Sequence, residues 1–449
     1  MTAYDEFQRT FCLSLLANRV WLDHGAQSAL QAQLQQELSY FLTVSGSEKN
    51  VESGASALIG DWTVTWGPVV WQNAGSDVAD NAMYVAYCPD VPNLGATYVV
   101  AIAATNPMSG FDWGTEDFDV AQVVDFSSYA PLTTAPSPAP SGQIDDQTGA
   151  YISMGTATGV YKLLQMVGTV YEGQDSGKTS ASLADYLTGA TIDKGATIVF
   201  TGHSLAGALS PTLALYLKAS GRLGQFAAAN VYPTAGASPG NANFANLFNT
   251  TFQQTPAGAT SRQQWNTLLW NQFDVVPHAW STQAATPNTA LPSLANVADL
   301  YTDGHKVDEL SSVTCLVGKA TGASQGSGIT YTPLRNQWLP GQLFEGWMPV
   351  SADLSLPVNV PPLNLLGELL QMAYQHMAEY NAADMLDVED FAAQAKAVQV
   401  PLVSGVSKDT LYTFLTTVLG WSGKIGCGIA TIEADAADLQ AAAAQPAGA

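Results

Sequence analysis

Ser204 ends the run Thr197-Ile198-Val199-Phe200-Thr201-Gly202-His203-Ser204, and Leu205-Ala206-Gly207-Ala208 follows at once. An apolar strand that stops at Gly-x-Ser and turns directly into small helix-forming residues is the pattern of a nucleophile elbow. A serine hydroxyl becomes a nucleophile only where the backbone lifts it above a sheet and beside a base. Gly202 supplies the space before the serine. Ala206 stands where a second glycine is usual, so the following helix must accommodate one extra methyl group.

A serine of this kind needs an acid and a histidine later in the chain, each beyond the C-terminal edge of a strand. Asp274 in Asn271-Gln272-Phe273-Asp274-Val275-Val276-Pro277 ends an apolar strand 70 residues after Ser204. The plain alternative is an aspartate that caps a turn. Five histidines are present, at 24, 203, 278, 305 and 376. His24 precedes the whole order, His203 adjoins the serine on a strained turn, and His278 is too local to Asp274. His305 and His376 remain as bases, the second 102 residues past the acid at the end of the apolar run 363–374.

Around these residues the pattern predicts an α/β chain. Residues 4–45 have helical periodicity (Phe7, Phe11, Leu15, then Leu30, Leu34, Leu38, Phe41). Strands are expected at 62–66, 69–71, 83–87 and 98–102, the last apolar enough to be covered on both faces. Helices are expected at 153–172, 178–189 and 205–220, with strands at 196–201, 226–232 and 267–273 between and after them. Such alternation implies a mostly parallel central sheet flanked by helices. The expected organisation is an N-terminal helical segment (1–60) packed on a catalytic domain (61–400), then a helical extension with an Ala-rich tail (401–449). Two insertions, 107–149 and 315–362, are lid or acyl-groove candidates: the first carries Phe111, Trp113, Phe118, Phe126 and Tyr129, the second Leu339, Leu343, Phe344, Trp347 and Met348.

Composition narrows the partners. Lys+Arg 15 against Asp+Glu 38 gives a formal net charge of -23, which repels nucleic acid and anionic lipid headgroups. No uncharged apolar run is long enough to span a bilayer. The first nine residues carry acids where a secretory leader needs a basic start, so either an intracellular enzyme or a mature secreted form is expected. Cys12, Cys88, Cys315 and Cys427 are widely spaced and read as buried free thiols; no residue spacing calls for a metal or cofactor. Oligomeric state stays open.

Several ordered blocks resemble the class 3 lipases, the fungal-lipase-like branch of the α/β-hydrolase fold. Tyr84-Val85-Ala86-Tyr87 and Val99-Val100-Ala101-Ile102-Ala103-Ala104-Thr105 are similar to that family's two strands ending in an oxyanion segment. Gly202-His203-Ser204-Leu205-Ala206-Gly207-Ala208 is similar to its Gly-His-Ser-Leu-Gly-Gly-Ala. Gly236-Ala237-Ser238-Pro239-Gly240-Asn241-Ala242-Asn243-Phe244-Ala245, Asp274-Val275-Val276-Pro277-His278 and Gly304-His305-Lys306-Val307-Asp308-Glu309 resemble later blocks, the histidine of the last being non-catalytic in the family. A final histidine block before an aromatic matches His376 and Tyr380. The likeness spans roughly residues 80–385, and Ala103-Ala104 replaces the family's Arg-Gly.

The resemblance implies Ser204, Asp274 and His376 as catalytic residues, with the backbone N–H groups of Leu205 and Thr105 as the oxyanion hole, the Thr105 hydroxyl being a further donor. It implies a serine carboxylic-ester hydrolase acting on lipid esters at a lipid–water interface. A short-chain carboxylesterase or polyester hydrolase has the same elbow, and an inactive hydrolase-like binding protein is the non-enzymatic alternative.

Overall fold

A computed structural model describes residues 3–21, 23–44, 55–171, 179–283, 291–301, 311–349, 355–360, 362, 365–382 and 385–386. The expected extension and tail from 401 onward, Cys427 and His305 lie outside the described residues. The core is a ten-stranded mixed sheet in the order Asn336–Leu339, Leu268–Asn271, Ala228–Thr234, Thr197–His203, Gly95–Ile102, Asn81–Val91, Thr63–Trp71, Val167–Val170 and Thr179–Ser182, with Thr43–Val44 beside Thr63–Trp71. The first five strands run parallel and the rest of that path is antiparallel. The alternation of strand and helix implies a mostly parallel sheet, and the arrangement is that of the α/β-hydrolase fold which the resemblance implies.

Strand Thr197–His203 is buried along its whole length, as a central strand covered on both faces must be. One face carries helices Met154–Gln165 and Leu205–Ala219, with Leu163, Phe200, Leu209 and Leu213 in a shared core. The other is covered by the N-terminal helix Glu6–Leu16, whose Phe7, Phe11, Cys12, Leu13 and Leu16 are buried. Asp5 and Gln8 form a capping box that fixes the start of that helix. Asp5 also meets Arg262 and Gln263, and Leu13 accepts a hydrogen bond from Tyr84 at 2.7 Å.

Three local expectations differ. Val167–Val170 and Thr179–Ser182 pair as antiparallel strands where an end of each expected helix, 153–172 and 178–189, falls, and the second helix starts only at Leu183; Gly168 lies flat against the Trp66 indole, where a Cβ would sit 2.6 Å from Cε2. Part of the second insertion is sheet, since Asn336–Leu339 pairs in parallel with Leu268–Asn271 as the edge strand. Third, Cys315 is disulfide-bonded, which corrects the reading of four free thiols; Cys12 and Cys88 are free and buried.

The first insertion divides into two parts. Val123–Asp125 pairs with Tyr151–Ser153, Phe126 packs edge-on to Phe244, and the Tyr129 hydroxyl donates to the Ala157 carbonyl, so this part is fastened to the core. Phe111 to Phe118 is fastened differently: Asp112 and Glu116 are buried, Glu116 accepts from Asn81 of the sheet, and a Cβ on Gly155 of helix Met154–Gln165 would lie 2.2 Å from the Glu116 carbonyl. Phe111 stacks edge-on with Trp71, and Trp113 leans on a small apolar cluster with Phe344, Met348, Leu356 and Leu370. No helix of the described residues is long and apolar enough to cross a membrane.

Candidate active site

The elbow is formed by backbone geometry that only a close approach explains. Ser204 has φ 59° and ψ -125°, in the left-handed half of the map where a side chain is strained. Its N–H donates to the Thr234 carbonyl at 3.0 Å, which holds the turn. Gly202 must lack a side chain, because a Cβ there would lie 2.3 Å from the Ala206 Cβ. The extra methyl of Ala206 is therefore housed in the space that Gly202 leaves. Gly207 is under the same constraint from the Thr234 carbonyl, 2.4 Å from its would-be Cβ.

Residues 204, 274 and 376 come together. His376 Nε2 is 2.8 Å from Ser204 Oγ, and His376 Nδ1 is 3.0 and 2.9 Å from the two oxygens of Asp274. A carboxylate only accepts, so Nδ1 carries the proton and Nε2 is left to take one from the serine. Asp274 is completely buried. It also accepts from the Tyr380 hydroxyl at 2.8 Å and from the Val276 N–H at 3.0 Å. Tyr380 in turn accepts the Asn271 N–H at 2.9 Å. Ser204 itself is only 8% exposed, so the candidate nucleophile is nearly covered.

The other described histidines, 24, 203 and 278, fall away for physical reasons. His24 is at the surface beside Asp77. His278 is buried, accepts the Ser293 N–H through Nδ1, and burial pushes its pKa down to about 4. His203 is buried under the elbow, its Nε2 2.8 Å from the His376 carbonyl. Burial first, and then the neighbouring His376, pushes its pKa down to about 3.

Leu205 is the first residue of helix Leu205–Ala219, so its N–H has no acceptor within the helix. Thr105 follows strand Gly95–Ile102, and its hydroxyl donates to Asp117 at 3.0 Å. That proton is thereby committed, which leaves the backbone N–H as the donor Thr105 can offer. Where the resemblance leads one to expect Arg-Gly, Ala104 is anchored by a residue from the N-terminal segment: its N–H donates to Asn18 Oδ1 at 2.7 Å. Behind Thr105 lies a set of buried acids. Asn106 N–H donates to Asp112 at 2.7 Å, Ser109 joins Asp80 and Asp112, and Glu116 accepts from Asn81 at 3.0 Å. Burial raises the pKa of Asp112 and Glu116, and pushes Asp117 up to about 7 despite the hydrogen bond from Thr105.

Of the acyl-groove candidates, Leu339 is buried in the core under the sheet, Phe344 and Met348 join Trp113, and Trp347 is 57% exposed. Asn18, His203 and Asp117 were not singled out by sequence. Asn18 and Asp117 carry no motif, whereas His203 was read only as a spectator of the elbow.

The sheet, the elbow and the gathered residues define an α/β-hydrolase. Residues 144–283 match the family described as lipase (class 3), a match that supports a carboxylic ester hydrolase. The match contains Ser204 and Asp274, and Thr105 and His376 lie on either side of it. Among solved structures, M37 lipase aligns over 92% of this chain and 98% of its own, with 22% identity and a TM-score of 0.60. LIP2 lipase of Yarrowia lipolytica aligns over 60% and 73%, with 15% identity and a TM-score of 0.33. A lipase from Rhizopus microsporus var. chinensis aligns over 61% and 68%, with 13% identity and a TM-score of 0.31. No curated protein matches the chain.

Proposed function

We propose that the chain hydrolyses carboxylic esters of lipids through Ser204, His376 and Asp274. The observation that carries this is the continuous relay from Ser204 Oγ to His376 Nε2 at 2.8 Å and from His376 Nδ1 to Asp274 at 2.9 Å. As Ser204 Oγ attacks the ester carbonyl carbon, its proton passes to His376 Nε2, and the tetrahedral oxyanion is met by the N–H groups of Leu205 and Thr105. The imidazolium then protonates the alkoxy leaving group, the C–O bond breaks, and an acyl-enzyme remains. Water, deprotonated by His376, attacks the acyl carbon and releases the carboxylic acid with the serine restored. Asp274 holds the tautomer and balances the imidazolium throughout.

Within residues 111–118, where Asp112 and Glu116 are anchored in the core and Asp117 holds Thr105, Trp113 is the residue that can contribute to a cover, because its apolar partners lie on the stretch that leads to His376. A cover of this kind hides apolar surface in water and yields it to lipid.

The test is an ester panel varied in acyl length, measured below and above each substrate's solubility limit, with the Ser204→Ala and His376→Ala variants alongside. Both variants should lose about 10^4-fold or more while keeping native circular dichroism. Turnover by folded Ser204→Ala above about one part in a thousand sinks the assignment. A rate that climbs once long-chain ester forms droplets supports the lipid reading, whereas a plain hyperbola confined to soluble esters assigns a short-chain carboxylesterase. Failure of Ser204 to react with a fluorophosphonate would assign a binding protein.

A further inference from the structure

His376 does not sit on a regular helix. Between the helices Leu365–Ala373 and Glu379–Ala382, residues Tyr374–Ala378 form a π-helical stretch with His376 in its middle, and the Glu379 N–H closes it on the Tyr374 carbonyl. A π turn is wider and less favourable than an α turn and persists where other contacts hold it. Here two successive carbonyls of the stretch accept hydrogen bonds from side chains of the sheet. Gln375 O accepts from Asn271 Nδ2 at 3.0 Å, at the end of the strand that leads to the acid. His376 O is 2.8 Å from His203 Nε2, at the end of the strand that leads to the nucleophile.

We propose that His203 is a positioning residue for the reaction: its Nε2–H holds the main-chain carbonyl of His376, so the π turn that carries the base is tied to the residue preceding Ser204. The inference rests on the reading of His376 as the base. A carbonyl only accepts, so the shared proton belongs to His203 Nε2, and His203 Nδ1 then accepts from Thr234 Oγ1 at 2.9 Å. The alternative acceptor of that hydroxyl, the Gly202 carbonyl, is 3.5 Å away and loses to the shorter contact. The tautomer of His203 is thus fixed from both sides.

The ring is also clamped. It lies 4.9 Å from the His376 ring, 4.9 Å from Tyr380 edge-on and 6.2 Å from Phe11, so helix Glu6–Leu16 closes the pocket from below. The titratable groups facing it are His376, Tyr380 and Asp274. Buried as it is, His203 stays neutral at any pH near 7, and it has to. A second cation this close would oppose the imidazolium that His376 forms during acyl transfer, and a neutral donor bonds the carbonyl equally in both charge states of the base. His203 and Ser204 are consecutive, so a shift of the elbow carries the His376 backbone with it, and the 2.8 Å contact between nucleophile and base is preserved.

The test uses the full chain and a soluble short-chain ester, with kcat and KM measured separately beside Ser204→Ala and His376→Ala. Glutamine at 203 reaches the carbonyl with its own N–H, asparagine is one methylene too short, and leucine has no donor. His203→Leu and His203→Asn should lower kcat by about 10- to 100-fold with KM within twofold, as expected for a base displaced by a fraction of an ångström, and His203→Gln should recover most of the loss. Fluorophosphonate labelling of Ser204 per folded molecule should follow the same order. If His203→Leu fails to fold, the comparison of Gln with Asn decides. Equal kcat for Gln and Asn, or kcat within twofold of the parent in all variants, overturns the proposal while His376→Ala stays inactive. Retained activity in folded His376→Ala overturns the reading of the site itself.

Discussion

Replacing Tyr380 by phenylalanine removes one oxygen and nothing else, and that oxygen has two partners. It donates to Asp274 Oδ2 at 2.8 Å and accepts the Asn271 N–H at 2.9 Å, with the ring fully buried. The two losses are expected to appear in different measurements. The Asn271 N–H is left buried with no acceptor from Tyr380, a desolvation cost of about 1–3 kcal/mol that falls on the folded state as a whole. Asp274 loses a hydrogen bond to a charged acceptor, worth about 1.5–3 kcal/mol, and the carboxylate is then held by His376 and the Val276 N–H. Since about 1.4 kcal/mol is tenfold in rate, a Tyr380→Phe kcat 10- to 100-fold below the parent is expected if the carboxylate's share is felt in the transition state. The melting temperature should fall by a few degrees at the same time. Steady-state kinetics on a soluble ester and a calorimetric scan give both numbers. A variant with kcat within twofold of the parent and unchanged melting would refute the reasoning, because it would mean that neither partner depends on the hydroxyl.

Two further outcomes follow from the oxyanion side. Asn18→Ala removes the acceptor of the Ala104 N–H, so kcat should drop by about tenfold on every ester in the panel, from the lower part of the 1–3 kcal/mol range for an orphaned donor; an unchanged kcat would show that Thr105 needs no anchor from the N-terminal segment. Asp117 has a folded pKa raised from 3.8 to about 7, so the fold binds its proton more tightly than the unfolded chain does. Its contribution to stability is therefore complete below about pH 4 and is lost as pH rises towards 7. Asp117→Asn should accordingly melt higher than the parent at pH 8 and no higher at pH 4, and a difference of the same size at both would dismiss the role of that proton.

The sequence was informative where local geometry forces residue type. An elbow needs Gly202 beside Ser204 whatever surrounds it, and an apolar strand covered on both faces reads as one uninterrupted run. Asp274 was legible because a strand end, an acid and a proline fall together. The choice between His305 and His376 needed the resemblance, because nothing in either local pattern says which loop folds back over the sheet. Tyr380 is one helical turn beyond His376, so its place beside Asp274 follows from periodicity once the histidine is chosen. Asn18 could not be found that way: 86 residues separate it from Ala104, and a side-chain amide has no pattern that names its partner. The expected extent of the cover over the whole of 107–149 failed to separate Phe126 and Tyr129, which are core, from Trp113. Aromatic residues have the same composition signature in both roles.

The N-terminal helix has a consequence for how the chain is made. Phe11 leaves the ribosome about 190 residues before the strand end it will cover at His203, which at roughly 5–20 residues per second is on the order of ten to forty seconds. For that interval the apolar stripe of Phe7, Phe11, Leu13 and Leu16 has no sheet to lie on, and the thiol of Cys12 beside it is open to the wrong partner. The relay itself closes later still, when His376 has been synthesised. Yield of active enzyme should therefore depend on how fast the stretch between the first helix and the elbow is translated, and on whether a holdase shields the first helix meanwhile.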